Sequence, residues 1–268
     1  METYWLIGLG AISGVGAGLL AGLIGIGGGI VVVPVVYYGL IASATPADQA
    51  AHIAVGTSLA AILPAAVVSS LGHWRAGNTD VLFLRQWGPG IVLGVVAAQL
   101  AAPHLRGSTM TGVFSLLCLI FAGRFAFPGR FGPIAEQPPA GSLRNIAGAA
   151  IGWFSGLAGV GGGILTNIVM SLSGMPIHKS IGRAAAAGVV VSLPATIVAA
   201  LASGTVTPSR LGCIDVAVWA STAPAQAGAA WVGARLAQRL DAADLSRVMA
   251  VALLTTGVVM LHSSIGGR

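Results

Sequence analysis

One glycine-rich phrase is written twice in this chain, about half its length apart, and each time it interrupts apolar sequence. The copies read Gly22-Leu23-Ile24-Gly25-Ile26-Gly27-Gly28-Gly29-Ile30 and Gly156-Leu157-Ala158-Gly159-Val160-Gly161-Gly162-Gly163-Ile164. Each glycine lowers helix stability by about 1 kcal/mol relative to alanine, so three in a row predict a break in the helix. A doubled, glycine-broken element within apolar sequence is what a membrane transporter built from two related halves produces.

Composition supports a bilayer environment. Of 268 residues, 56% are hydrophobic and only 7% charged, and the mean hydropathy is +0.90. A water-soluble domain of this length does not hide that much apolar surface, whereas apolar runs of about 20 residues match the hydrocarbon thickness of a membrane. The net charge is +6, but the basic residues are scattered between apolar runs, which argues against nucleic-acid binding and for topology signals that touch lipid head groups. Cys118 and Cys213 stand far apart and form no CxxC, so they indicate neither a metal site nor a disulfide framework. The first residues lack a basic segment and a nearby cleavage site, and the first apolar run reads as a permanent helix. No cofactor motif and no HExxH, GxSxG or intramembrane carboxylate pair is present, so the chain does not read as an enzyme.

The predicted fold is an all-α polytopic membrane protein made of two inverted repeats of about five hydrophobic helices each, with glycine-broken or re-entrant short helices. Apolar segments fall at roughly 4–24, 30–43 (short), 50–73, 86–103 and 109–127, and again at 144–158, 164–173 (short), 184–203, 213–234 and 247–265. Residues 1–127 form the first repeat, 128–143 a linker dense in proline and glycine, and 144–268 the second repeat. Matching positions extend past the glycines: Pro46 with Pro176, Pro64 with Pro194, Gly77-x-x-Asp80 with Gly212-x-x-Asp215, Pro89 with Pro224 and Leu105 with Leu240, at offsets of 130 to 135.

Charge placement predicts orientation. If each half crosses an odd number of times, Arg75, Arg85, Arg124, Arg130, Arg144, Lys179, Arg183, Arg235, Arg239 and Arg247 share one side, against Arg106, Arg210 and Arg268 on the other. The rich side is then cytoplasmic and the amino terminus outside. An odd count also inverts the second half relative to the first. Five full crossings per half, or three crossings plus a re-entrant hairpin, fit the charges equally.

At each break a new helix begins with free N–H groups and the positive end of its dipole, so Gly27, Gly28 and Gly29 with Gly161, Gly162 and Gly163 predict a site for a small anion. The same glycines also suit close helix packing, and both roles can hold at once. A P-loop is excluded because no lysine follows in register. A second cluster opens the third segment of each half: Gln49, His52, Thr57 and Ser58 in the first, and His178, Lys179 and Arg183 in the second, with Gln49 aligned to Lys179. Lys179 and Arg183 would draw an anion in, or serve only as cytoplasmic anchors. His52 is a candidate proton carrier, and Thr57, Ser58 and Asn167 are candidate donors to an oxyanion, although such hydroxyls often bond their own backbone. Pro34, Pro64, Pro89, Pro194 and Pro224 read as kinks, and Asp80 and Asp215 as helix caps or partners of arginine.

At these residues the chain resembles the TauE/SafE sulfite exporter family, also called the toluene-sulfonate uptake permease family. The likeness rests on Gly22-x-x-Gly25-x-Gly27-Gly28-Gly29 with Pro34 behind it, on Pro46 to Ser58 ending in Ala54-Val55-Gly56-Thr57-Ser58, and on the second copy from Gly156 to Gly163. The resemblance implies secondary transport of a small sulfur-containing anion, such as sulfite, sulfoacetate or another organosulfonate, across a bacterial inner membrane, usually outward. Ala187 and Gly188 stand where a second Thr57 and Ser58 would be, so the expected binding constellation is asymmetric. The alternatives are an uptake permease for another small anion and a non-transporting membrane scaffold. A homodimer is compatible with each of these readings.

Overall fold

The computed structural model describes residues 2–25, 27–79, 81–127, 134–202, 206–207 and 209–266. Ile26, Asp80 and Arg268, with the whole 128–133 stretch of the linker including Arg130, lie outside them.

Among the described residues the chain forms ten α-helices: α1 (Glu2–Ile24), α2 (Gly29–Ala42), α3 (Ala47–Arg75), α4 (Val81–Ala101), α5 (Gly107–Ala126), α6 (Gly141–Ala158), α7 (Gly163–Leu172), α8 (Ile177–Leu201), α9 (Val216–Ala237) and α10 (Ala242–Gly266). Six of them are long and apolar enough to cross a bilayer. The fold is an all-α polytopic membrane fold. An addition absent from the sequence reading is a small antiparallel sheet before α9, in the order β1 (Val206–Thr207), β2 (Arg210–Leu211), β3 (Ile214–Asp215).

Local chemistry repeats between the halves. Pro46 and Pro176 cap α3 and α8 with dihedrals of −55°, 138° and −54°, 140°. Gly77 and Gly212, which precede α4 and α9, both take positive φ. Ser43 and Ser173 close α2 and α7, each bonding a carbonyl one turn back through its hydroxyl. All five intrahelical prolines of the sequence reading sit inside helices, Pro34 in α2, Pro64 in α3, Pro89 in α4, Pro194 in α8 and Pro224 in α9.

Packing exchanges the halves as well. Helix α1 lies on α9, and its counterpart α6 lies on α4; α3 packs on α8 and α5 on α10. Lipid supplies no hydrophobic drive for such contacts, so they depend on small residues that let backbones approach. Gly10, Gly14, Gly18 and Gly22 form one ridge of α1, and a β-carbon on any of them would press into α9 between Val218 and Ala234. On the other pair, Gly94 of α4 abuts the Ala149 carbonyl, and Gly152 of α6 abuts the Ile91 carbonyl. The register shows that α1 runs parallel to α9 and α6 parallel to α4.

Two faces result. Asp48 at the start of α3 meets Gly107 at the start of α5, and Tyr38 near the end of α2 bonds the Val259 carbonyl near the end of α10. These ends lie with the start of α1 and define the N face. At the opposite end Asn78 abuts Gly182, Arg183 lies over the Phe83 ring, and Arg124 bonds Ser171. Helix ends bearing Arg75, Arg85, Arg124, Arg144, Lys179, Arg235, Arg239 and Arg247 gather there, so we call it the R face; Arg106 and Arg210 lie toward the N face. Large apolar side chains point outward between the faces, among them Leu93, Leu100, Leu116, Ile120, Leu193, Ile197, Val251 and Leu254.

Overpacking a membrane-helix contact gives the first prediction. Gly94→Leu should lower the thermal unfolding midpoint in detergent, with a cost of about 1–3 kcal/mol. Gly88→Ala, at a position with no neighbour near an added β-carbon, should leave the midpoint unchanged.

Candidate functional site

Both glycine phrases break the helix, and they break it alike. Gly25, Gly27 and Gly28 have φ of 68°, 80° and 78°, matched by 73°, 67° and 77° at Gly159, Gly161 and Gly162. Side chains strongly disfavour this left-handed region, so glycine is required by the backbone itself. After each break the chain turns back. Gly28 reaches the Ala17 carbonyl of α1, and α2 then returns to the N face, where Tyr38 and Gly39 share a groove with Trp5 and Leu9. Helix α7 runs the other way, to the R face. With 14 and 10 residues, these helices measure about 21 and 15 Å, half a bilayer or a little more.

The two breaks meet at mid-depth. A β-carbon built on Gly27 or Gly161 would stand 3.1 or 2.9 Å from Ile62 Cγ2 and 3.7 or 3.8 Å from the other glycine's Cα. Gly29 abuts the Gly159 carbonyl directly. Helices α2 and α7 therefore start head to head, and their positive ends share one place. In this conformation the seam is closed, backbone on backbone, with Ile62 of α3 wedged against both copies.

Hydrogen bonding at the seam is one-sided. Freed carbonyls are met by side chains from neighbouring helices: Ser58 Oγ donates to Gly159 O at 2.9 Å, Gln226 Nε2 to Gly27 O at 2.7 Å and Gln99 Nε2 to Gly156 O at 2.9 Å. Asn167 Nδ2 points at Ile24 O from 3.5 Å, Ser69 Oγ donates to Ala21 O at 3.2 Å, and His73 Nε2 lies 3.1 Å from Gly22 O. The amino ends have no such partner, because the caps Gly28 and Gly162 carry no side chain and make no side-chain cap bond. Donors thus serve the negative ends of α1 and α6, while no side chain caps the positive ends of α2 and α7.

Around the seam, buried polar atoms remain unpaired, including Asn167 Oδ1, Gln226 Oε1, Ser155 Oγ, Thr166 Oγ1 and Ser192 Oγ. Asn167 and Gln226 are fully buried. No described acidic side chain lies at the breaks: Asp48, Glu136, Asp215, Asp241 and Asp244 all fall at or beyond helix ends.

The remaining expected site residues divide. Thr57 is buried and accepts a hydrogen bond from the Asp215 amide at 2.9 Å, tying α3 to the small sheet. Asp215 caps α9 by accepting from the Val218 amide at 3.0 Å, the capping role read from sequence. His52 Nδ1 lies 2.8 Å from Asp48 O and Nε2 3.0 Å from Ala102 O; a neutral ring donates to one of these carbonyls, a protonated ring to both. Gln49 is exposed at the N face and Lys179 at the R face, so the structure separates this aligned pair. Along their helices Lys179 lies two residues from Ile181, whose carbonyl faces Gly25 of the first break, and Gln49 lies six residues from Val55, which faces Gly159 of the second. Arg183 is half-buried near Phe83, with Met170 Sδ 3.8 Å from its Nη1.

Gln99, Gln226, Ser69, His73 and Ile62 were missed by sequence reasoning. The two glutamines left a readable signal, an amide deep in an apolar segment, which needs a partner in lipid. Ile62 left none.

Access from the N face is partly built. A cavity of about 680 Å³ there is lined by Tyr37, Asp48, Arg106, Ser108, Thr109 and Ser263 among others. Below it Val33, Tyr37, Ala51, Val55, Met110, Phe114 and Ala158 close a narrow crevice that ends beside Gly159.

Spanning helices around two mid-depth breaks, with an access cavity at one face, are the architecture of a membrane transporter. The model of the family described as Sulfite exporter TauE/SafE matches residues 10–260, and the chain belongs to that family. A "Probable membrane transporter protein" of Haemophilus influenzae is 30% identical over 193 residues, 72% of each chain. A relative of the same name from Methanocaldococcus jannaschii is 23% identical over 67% of each chain. One from Bacillus subtilis is 26% identical over 60% of this chain and 66% of its own. No solved structure matches.

Removing the donors that hold the breaks gives the second prediction. Ser58→Ala or Gln226→Leu leaves a buried carbonyl unpaired, a cost of about 1–3 kcal/mol. The thermal midpoint should fall in each, whereas Lys179→Gln, at the exposed start of α8, should keep it.

Proposed function

We propose that the protein is a secondary carrier that moves a small sulfur-containing anion, such as sulfite, sulfoacetate or another organosulfonate, outward across a bacterial inner membrane. The single observation that carries this reading is the head-to-head start of α2 and α7, two uncapped positive helix ends with no described carboxylate beside them. An oxyanion between those ends would accept the N–H groups that the glycine caps leave open. Asn167 and Gln226, each with one amide atom already on a break carbonyl, supply the nearest neutral groups. Sulfur chemistry enters from the family description and not from the side chains.

In this reading Gly27, Gly28, Gly29, Gly161, Gly162 and Gly163 form the binding backbone. Ser58 and Thr57 brace it, and Lys179 and Arg183 raise anion concentration at the R face. The halves are inverted repeats, consistent with parallel α1 and α9 and with an odd number of helix reversals per half. The R face is cytoplasmic by the excess of arginine, and the amino terminus is outside. Transport requires the Gly29–Gly159 seam to part, one set of helices moving against the other. The closed state seen here opens, through the cavity above Tyr37, toward the N face. Export of an anion from a cell negative inside is favoured by about 2.3 kcal/mol per charge per 100 mV, so no cation partner is obligatory. His52, at the edge of that route, is the candidate for any proton movement.

Inverted vesicles loaded with the protein test this. Labelled sulfite or sulfonate should accumulate in them with the wild type and fall to background with Gly162→Val, whose β-carbon would meet Val191 Cγ2 at 2.7 Å at a φ of 77°. Gly16→Ala, with open space around it, should transport normally. Undiminished transport by a folded Gly162→Val protein would remove the breaks from the mechanism. A thermal-shift panel of sulfite, sulfate, thiosulfate and sulfonates ranks the substrates, and stabilisation by none of them would favour the alternative of an uptake permease for another small anion.

A further inference from the structure

At the R face a second concave site, unrelated to the breaks, opens sideways between α3 and α9. Its volume is about 340 Å³, and it is lined by Val68, Leu71, Gly72, Arg75, Trp231, Ala234, Arg235 and Gln238. The floor is apolar and the rim holds two arginines. We propose that this groove binds one anionic phospholipid, with an acyl chain along Val68, Leu71 and Ala234 and the phosphate between Arg75 and Arg235.

Three observations support that occupant. First, the groove lies in the outer wall, since Leu71 is 41% exposed, Trp231 47% and Trp74 56%; large apolar side chains exposed on spanning helices face lipid. Gly72 and Ala234 form its back, where a β-carbon added to Gly72 would lie 3.0 Å from Ala234 Cβ. Small residues at that contact keep the groove open beside it.

Second, the cations are free for a ligand. Arg75 and Arg235 make no ion pair with a carboxylate among the described residues, where the one described pair is Arg247 with Asp244. Arg235 Cζ sits 3.5 Å from the Trp231 ring centroid. Stacking occupies the flat face of the guanidinium and leaves its N–H edge for phosphate oxygens. A tryptophan so placed is also the residue type that anchors at head-group level.

Third, the geometry is graded in the manner of a lipid. Arg75 is the last residue of α3 and Arg235 lies in the last turn of α9, while Val68 and Leu71 lie one to two turns deeper. Positive charge at the membrane end of two helices above an apolar trough matches a phosphate head and a hydrocarbon tail. A free phosphate would gain nothing from the trough, and a zwitterionic lipid would gain less from the rim.

The test uses the full chain in detergent micelles, titrated with phosphatidylglycerol, phosphatidylcholine or inorganic phosphate, with bound molecules counted by native mass spectrometry. One phosphatidylglycerol should remain bound at concentrations where phosphatidylcholine does not. Its apparent affinity should drop about tenfold in Arg75→Gln/Arg235→Gln and stay within about twofold of wild type in Arg239→Gln, an exposed arginine outside the groove. Val68→Phe, which fills the floor and spares both guanidiniums, should also weaken binding, so the proposal stays testable if the double variant fails to fold. Equal retention of both lipids, unchanged binding in these variants, or full competition by inorganic phosphate would each overturn the proposal.

Discussion

Every backbone amide and carbonyl at membrane depth must find a partner inside the protein, because hydrocarbon offers none. Two glycine breaks at mid-depth violate helical self-sufficiency in two places at once, and much of the architecture answers that violation. Ser58, Gln99 and Gln226 reach across from α3, α4 and α9 to cover the freed carbonyls. The amino ends of α2 and α7 are brought together with no acceptor side chain of their own. The structure thus supplies side-chain partners for one kind of orphan group and none at the caps of the other.

The close contacts serve the same requirement. Glycine ridges on α1 and α6 bring α9 and α4 within backbone range, and this proximity lets a glutamine on α9 bond a carbonyl of the first break. Packing and helix breaks are thus one device in two parts. Gly22 shows the packing part, pressed on Ala230 and Gly233, and Gly28 shows the break, in a left-handed conformation as the cap of α2. Within the one phrase, close packing falls to Gly22 and the helix break to Gly28.

The halves are alike in backbone and unlike in chemistry. Matching φ values at the breaks and matching proline caps on α3 and α8 come from duplicated sequence. The side chains that tend the breaks are not duplicated: Ser58 bonds the second break, while its counterpart Gly188 has no hydroxyl. The two breaks are therefore held by different side chains.

Helix existence was readable because a bilayer imposes one length and one polarity on every span. Each of the ten apolar segments became a helix, with ends within three residues except at the starts of α4, α8 and α10, where the helix begins five, seven and five residues further back. The breaks were readable because consecutive glycines have one common reason to interrupt such a run. Gln49 and Lys179 show the limit: their alignment is real, yet α3 and α8 run in opposite directions, and the aligned residues end on opposite faces. What the sequence alone determined is therefore everything that depends on local backbone energetics and on transfer into lipid. Only the tertiary structure decided which helix lies on which, that Ile62 wedges the seam, and that Gln226 meets Gly27 across nearly two hundred residues, because contacts between distant helices depend on shape complementarity that no local pattern encodes.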